Sequence, residues 1–187
     1  MTVRPATTAD ADAIAACQFA CWREAYTRLA GHAVLARRTV DPGARVRLWG
    51  RIIAGADATW IAATADDGVV GFVVAGAGRD EGIDLPFELK AIYLLARHHG
   101  SGIADRLVDV AVGDADAYLW VFAGNPRARS FYARHRFVAD GTVRHDPSFE
   151  LDEIRMARRK PGGGTHTAPG TPRPQGRAAH RGGPASS

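Results

Sequence analysis

The chain has 187 residues, and its 24 lysines and arginines outnumber 20 aspartates and glutamates, for a formal net charge of +4. With 46% hydrophobic residues it can fill one core and is short for two. No apolar run is long enough to cross a bilayer, and Cys17 and Cys21 alone are too few for a disulfide framework or a metal set.

Three of the four net positive charges are Arg173, Arg177 and Arg181, so residues 1–160 are close to neutral. Pro161-Gly162-Gly163-Gly164 opens a stretch rich in Pro, Gly, Ser and Thr that contains no acid. It has too little apolar surface to offset its ordering entropy, so residues 161–187 are expected to be a disordered basic tail behind a domain over residues 1–160. Three arginines without an aromatic partner are thin footing for nucleic acid, and none is expected to bind. The opening Thr2-Val3-Arg4 does not read as a signal peptide, because Asp10 and Asp12 interrupt the alanines behind it. With two unpaired cysteines, this points to the cytoplasm.

In chain order, a first strand covers about residues 2–5. Thr8 is positioned to cap a long helix to about residue 28, with Ile14, Cys17, Cys21 and Ala25 at helical spacing. A helical pair follows over residues 32–55. Residues 60–64 and 69–75 flank Asp66-Asp67-Gly68, a hairpin signal. The alternation of Phe87-Glu88-Leu89-Lys90-Ala91-Ile92-Tyr93-Leu94 reads as a strand, and a helix follows over about residues 101–112. Strands near 117–122, 137–143 and 149–158 surround a short helix that starts at Asn125. The class is α+β around a central mixed sheet.

Between the fourth strand and the next helix lies Arg97-His98-His99-Gly100-Ser101-Gly102. A strand that passes through a Gly-bearing loop into a helix presents unpaired N–H groups and the positive end of the helix dipole, a ready phosphate site. Gly100 and Gly102 allow close backbone approach and the dihedrals such a loop needs. No Lys follows Gly102, which excludes a Walker loop, and Asp105 stands where a dinucleotide fingerprint needs its third Gly. His98 and His99 are adjacent and lack a third ligand, so no metal is expected.

Arg97-x-x-Gly100-x-Gly102 resembles the acyl-CoA pyrophosphate loop of the Gcn5-related N-acetyltransferases (GNAT). The later run Asn125-Pro126-Arg127-Ala128-Arg129-Ser130-Phe131-Tyr132 resembles the second signature of the same family. Asn125 suits an N-cap and Pro126 the first helical position, and Ala128, Phe131 and Tyr132 share one helix face. The two motifs stand in the family's order, and the resemblance covers about residues 1–158, including Glu153-Ile154-Arg155-Met156 as the last strand. Trp22-Arg23-Glu24-Ala25-Tyr26 is similar to a string seen in actinobacterial-type members. The family usually carries Gly before Phe137. Here the residue is Arg136, which suggests a slightly different helix exit.

The resemblance implies a GNAT fold, with the strands ending near Leu94 and Phe122 splayed apart around acetyl-CoA. It implies transfer of an acetyl group to a primary amine of a small molecule or a protein N-terminus, by direct attack in a ternary complex. Tyr132 matches the tyrosine that protonates the departing thiolate, and Glu88 matches a base that works through water. Backbone groups of Tyr93, Leu94 and Leu95 would pair with pantetheine. Arg97, His98, Gly100, Ser101, Gly102 and Ile103 would surround the diphosphate, and Asn125 would reach the CoA arm or cap its helix. Trp22, Glu24, Tyr26, Glu81 and Asp84 fall on the acceptor side and would suit a cationic amine. A homodimer is left open. The competing reading is a non-catalytic acyl-CoA sensor or scaffold.

Overall fold

The computed structural model describes residues 1–160, and the expected disorder of residues 161–187 lies outside the described residues. Strand β1 (Thr2–Pro5) leads into a 3₁₀ turn and the long helix α1 (Ala11–Arg38), then α2 (Pro42–Ala54). Strands β2 (Ala58–Thr64), β3 (Gly68–Ala77) and β4 (Phe87–Leu94) follow, then α3 (Ile103–Ala111), β5 (Ala117–Phe122), α4 (Pro126–Arg134), β6 (Val138–Asp146) and β7 (Leu151–Arg158). The seven strands form one sheet in the order β1-β2-β3-β4-β5-β7-β6, and only the β4–β5 pair is parallel.

The 3₁₀ turn that leads into α1 is capped by Thr7, one residue before the expected Thr8, and α1 itself begins at Ala11. Thr7 N–H and Thr7 Oγ1 donate to Asp10 Oδ2 at 2.8 and 2.9 Å, and Arg4 holds the same carboxylate from β1. Ile14, Cys17, Gln18 and Cys21 are buried at helical spacing, and both cysteines are free thiols in the core. Gln18 Oε1 accepts the Trp49 indole N–H at 3.0 Å, which ties α1 to α2. The helix runs past the expected end, but Gly31 (φ 80, ψ 161) breaks it into segments 11–30 and 32–38. The expected pair over residues 32–55 is thus the second of these segments together with α2.

Helix α3, the crossover from β4 to β5, buries Ile103, Leu107, Val108 and Ala111 against β2, β3 and β4. Helix α4 begins as its sequence suggests, with Asn125 Oδ1 accepting the Ala128 N–H at 3.1 Å. Its exit departs from the expectation. Arg136 adopts φ 67, the left-handed geometry a glycine would take, while Phe137 N–H donates to Tyr132 O and Arg136 N–H to Ala133 O, both at 3.0 Å. That pair of bonds is a Schellman closure, and an arginine occupies the position that favours glycine.

The feature that creates a site is the β4–β5 junction. Only Phe87–Ala117 and Glu88–Tyr118 are paired, although β4 continues for six more residues and β5 for four. Beyond Glu88 the two strands part, and a V-shaped gap opens in the middle of the sheet.

Candidate acyl-CoA and acceptor site

Strand β4 is paired with β3 along its other edge, with one irregularity that leaves Lys90 without a partner on β3. Leu95 N–H donates to Val70 O at 2.9 Å, so by antiparallel alternation Tyr93 and Ala91 also turn their backbone groups to β3. The N–H groups of Ile92 and Leu94 therefore point into the gap. Of the expected pantetheine contacts, Leu94 presents its backbone to the gap, whereas the Leu95 N–H is already taken by β3. Leu94 O faces His99 Nε2 at 2.9 Å, which places the proton on that nitrogen.

The loop at the mouth of the V carries the Gly-bearing stretch that the sequence marks as a candidate phosphate site. Gly100 and Gly102 have φ of 80 and 78, and a side chain at either would meet open space. The glycines are thus required by backbone conformation rather than by packing. Gly102 opens α3, whose first intrahelical bond to Gly102 O comes from Arg106, so the amides of the first turn have no intrahelical partner. Ser101 Oγ donates back to His98 O at 2.6 Å, and Ile103 N–H reaches Ser101 Oγ at 3.4 Å. Arg97 and His98 both turn to Asp67 of the β2–β3 turn, at 3.0 and 2.9 Å. These two hydrogen-bond partners hold Asp67 below the usual carboxylate range, Arg97 contributing most. Glu24 Oε2 accepts the Ala96 N–H at 2.8 Å, so this candidate acceptor residue braces the loop instead.

Three phenols meet across the gap. Tyr132, buried on α4, has no hydrogen-bond partner for its hydroxyl among the described residues. Burial, and then the neighbouring Tyr93, raise its pKa. Tyr93 accepts the Trp22 indole N–H at 3.0 Å, and Tyr26 packs edge-on to Tyr93 and Phe122. Burial raises both of these phenols as well, and Tyr26 also feels Tyr132. Trp22 and Tyr26 belong to a second apolar cluster with Phe19, Phe122 and Phe149, and Phe149 is a wall of the site that no sequence motif announces.

Glu88 sits at the base of the V and is 2% exposed. Arg79 Nε and Nη2 donate to its two oxygens at 2.8 and 2.6 Å, and the Tyr118 hydroxyl lies 3.4 Å from Oε2. The same hydroxyl accepts the N–H groups of Arg79 and Asp80, which pins the β3–β4 loop over the junction. Glu81 and Asp84 lie exposed in that loop. A second carboxylate, Glu153, lies in the last strand, where no motif marks it as a site residue. The register Phe122↔Glu153 puts it on the face of the sheet that Tyr26 covers. Arg144 Nε donates to Glu153 Oε2 at 2.7 Å, while Oε1 has no hydrogen-bond partner among the described residues. Burial raises the Glu153 pKa against the opposing pull of Arg144.

Comparison with known proteins agrees with this geometry. Residues 56–139 match the family described as an acetyltransferase (GNAT) domain. No curated protein matches the chain by sequence. Among solved structures, the PaiA N-acetyltransferase of Thermoplasma acidophilum, in complex with coenzyme A, superposes with a TM-score of 0.64 at 17% identity, covering 86% of this chain and 100% of that one. A ribosomal-protein-alanine N-acetyltransferase from Brucella melitensis gives 0.60 at 21% identity, with 84% and 99% covered. A GCN5-related N-acetyltransferase from Rhodopseudomonas palustris gives 0.61 at 19%, with 84% and 94% covered. At residues 56–139 the match spans the hairpin, both splayed strands and the glycine loop between β4 and α3, and the described residues have the GNAT fold.

Proposed function

We propose that this chain is an acetyl-CoA-dependent N-acetyltransferase acting on a primary amine. The observation that carries the reading is the parting of β4 from β5 after two residue pairs, with Tyr132 of α4 buried close enough to Tyr93 and Tyr26 for the phenols to influence one another. When bound, acetyl-CoA supplies an activated thioester and a thiol leaving group.

The residues around it have distinct tasks. Ile92 and Leu94 offer backbone groups at the spacing of a missing strand, which suits the amide-bearing pantetheine arm. Asn125 spends its side-chain carbonyl on the α4 cap and leaves its NH₂ group for the same arm. The loop through Gly100, Ser101, Gly102 and Ile103 holds the diphosphate, and Arg97 and His98 move from Asp67 to the added negative charge. Tyr132, kept protonated by burial, donates to the sulfur as it departs.

The ammonium of the acceptor must lose a proton before it attacks. Two carboxylates lie on the acceptor face. Both oxygens of Glu88 are engaged by Arg79, so an amine or a water must share or displace that pair. Glu153 has a free oxygen and a basicity increased by burial, and it is assigned the proton; Glu88 holds the base of the V together.

The test is thiol release from acetyl-CoA across a panel of primary amines. Turnover with at least one amine is expected. Tight CoA binding with no thiol released by any amine would reduce the chain to an acyl-CoA-binding module.

A further inference from the structure

At the junction of α1 and α2 a groove of about 250 Å³ is lined by Arg37, Arg38, Asp41, Ala44, Arg45 and Leu48. Two of its arginines are placed at a cost that nothing in the described protein offsets. Arg38 and Arg45 are half-buried, and neither has an ion pair among the described residues. The acids close by are engaged: Glu150 pairs with Arg37 at 2.5 Å, and Asp41 caps Ala44 N–H at 2.8 Å with Arg47 3.7 Å away. Arg38 Nε is buried with no hydrogen-bond partner.

The two guanidiniums lie together on one aromatic platform. Arg38 stands 5.4 Å from the Trp22 ring and 5.0 Å from Phe149, and Arg45 stands 4.7 Å from Trp22. Burial, and then the charge of Arg38, lower the Arg45 pKa. Stacking favours each cation singly and does nothing against the repulsion between them. The C-terminus of α1 accounts for Arg38, because a cation there suits the helix dipole. It does not account for Arg45. That residue lies in the first turn of α2, a turn without an acid, where the dipole disfavours a cation. A bound anion satisfies all of these groups at once.

We propose that Arg38 and Arg45 form a subsite for the carboxylate or phosphoryl group of the acceptor amine. The proposal rests on the acetyltransferase reading, and Trp22 makes the connection. Its ring carries both guanidiniums, and its Nε1–H donates to the Tyr93 hydroxyl beside the gap. An acid group on the arginines and an amine near Glu153 then bracket the same aromatic wall. The acceptor class that fits is a small zwitterion with its amine and its acid group at opposite ends, such as an ω-amino acid.

Two measurements test this. The first is the melting temperature in inorganic phosphate, against sodium chloride of equal ionic strength, without acetyl-CoA. The loop at Gly100 also takes phosphate, so the comparison with variants carries the readout. Arg45→Gln and Arg38→Gln are expected to remove part of the phosphate-dependent rise; Arg45→Lys, which keeps the charge and loses the fork, should be intermediate. An equal rise in all four proteins, or none, overturns the subsite whether or not any amine is acetylated. The second is kcat/KM for ω-amino acids against their amides. A preference of at least about 10-fold for the acid form, lost in Arg45→Gln, is expected from one charge-assisted pair. The same preference in both proteins would overturn the assignment to the acceptor and leave a free anion as the occupant.

Discussion

Tyr132 is a buried residue whose hydroxyl makes no hydrogen bond to another described residue, so removing that hydroxyl breaks no bond within the protein. Tyr132→Phe should therefore leave the melting temperature nearly unchanged, and acetyl-CoA affinity close to that of the wild type. Turnover should fall by about 10–1,000-fold, the usual worth of a general acid, towards the lower end because a thiolate already leaves readily. A variant that loses stability and keeps its rate would make the hydroxyl a packing group. The two carboxylates separate by their pH profiles. Glu153→Gln should lower kcat/KM by about 100-fold, most strongly between the pH at which Glu153 ionises and that at which the amine sheds its own proton. Glu88→Gln weakens the pair between a buried carboxylate and a largely exposed Arg79, so it should cost about 1 kcal/mol of stability and lower the rate by one factor at every pH. Reversed profiles would return the base role to Glu88. The difference between these two acids explains what could be read from the chain. Glu88 and Tyr132 stand beside local motifs, and so were visible. Glu153, Arg38 and Arg45 acquire their places from a register between strands or the meeting of two helices, which no short window of sequence contains.

Elements were legible where one periodicity governed them. The hairpin around Asp66-Asp67-Gly68, the alternation through β4 and the capped start of α4 lie where the residues put them. Departures occur where the long-range fold overrides local preference. Arg136 takes φ 67 because Phe137 must enter the core one residue later, and the two backbone bonds of the exit require that geometry. Gly31 is the converse case, a break inside a pattern that otherwise reads as helix. The same sterics predict opposite signs for two substitutions. Gly31→Ala forces a Cβ into φ 80, ψ 161, a region open almost only to glycine, and should cost about 1–3 kcal/mol although the added methyl meets open space. Arg136→Gly should gain about 1 kcal/mol, less a few tenths for the exposed pair with Asp114. Denaturant midpoints on the two variants check both. A stable Gly31→Ala protein would mean that the α1 break relaxes without strain, and a destabilised Arg136→Gly protein would mean that the Asp114 pair holds the exit.

At the scale of the whole molecule, the gap divides the sheet into a β1–β4 half and a β5–β7–β6 half. Two backbone pairs and the Arg79–Glu88–Tyr118 clamp join them at one end, and helix α3 crosses between them. A ligand seated in the V replaces the pairing the strands forgo, so binding and stability are linked. At a concentration 100 times its Kd, acetyl-CoA should stabilise the fold by about 2.7 kcal/mol. The alternation along β4 makes the location of that gain testable residue by residue. Ile92 and Leu94 amides face the gap, and should exchange quickly in the free protein and become protected with acetyl-CoA. Tyr93 and Leu95 amides face β3, and should be protected in both states. The amides from Gly102 to Asp105 should gain protection if the diphosphate sits on the start of α3, while Glu88, already paired at the base, should change little. Protection that rises evenly along β4 would mean a general tightening of the sheet. A rise in melting temperature with no change at Ile92, Leu94 or the α3 start would put the ligand somewhere other than the V, and the acetyltransferase reading would lose the geometry on which it stands.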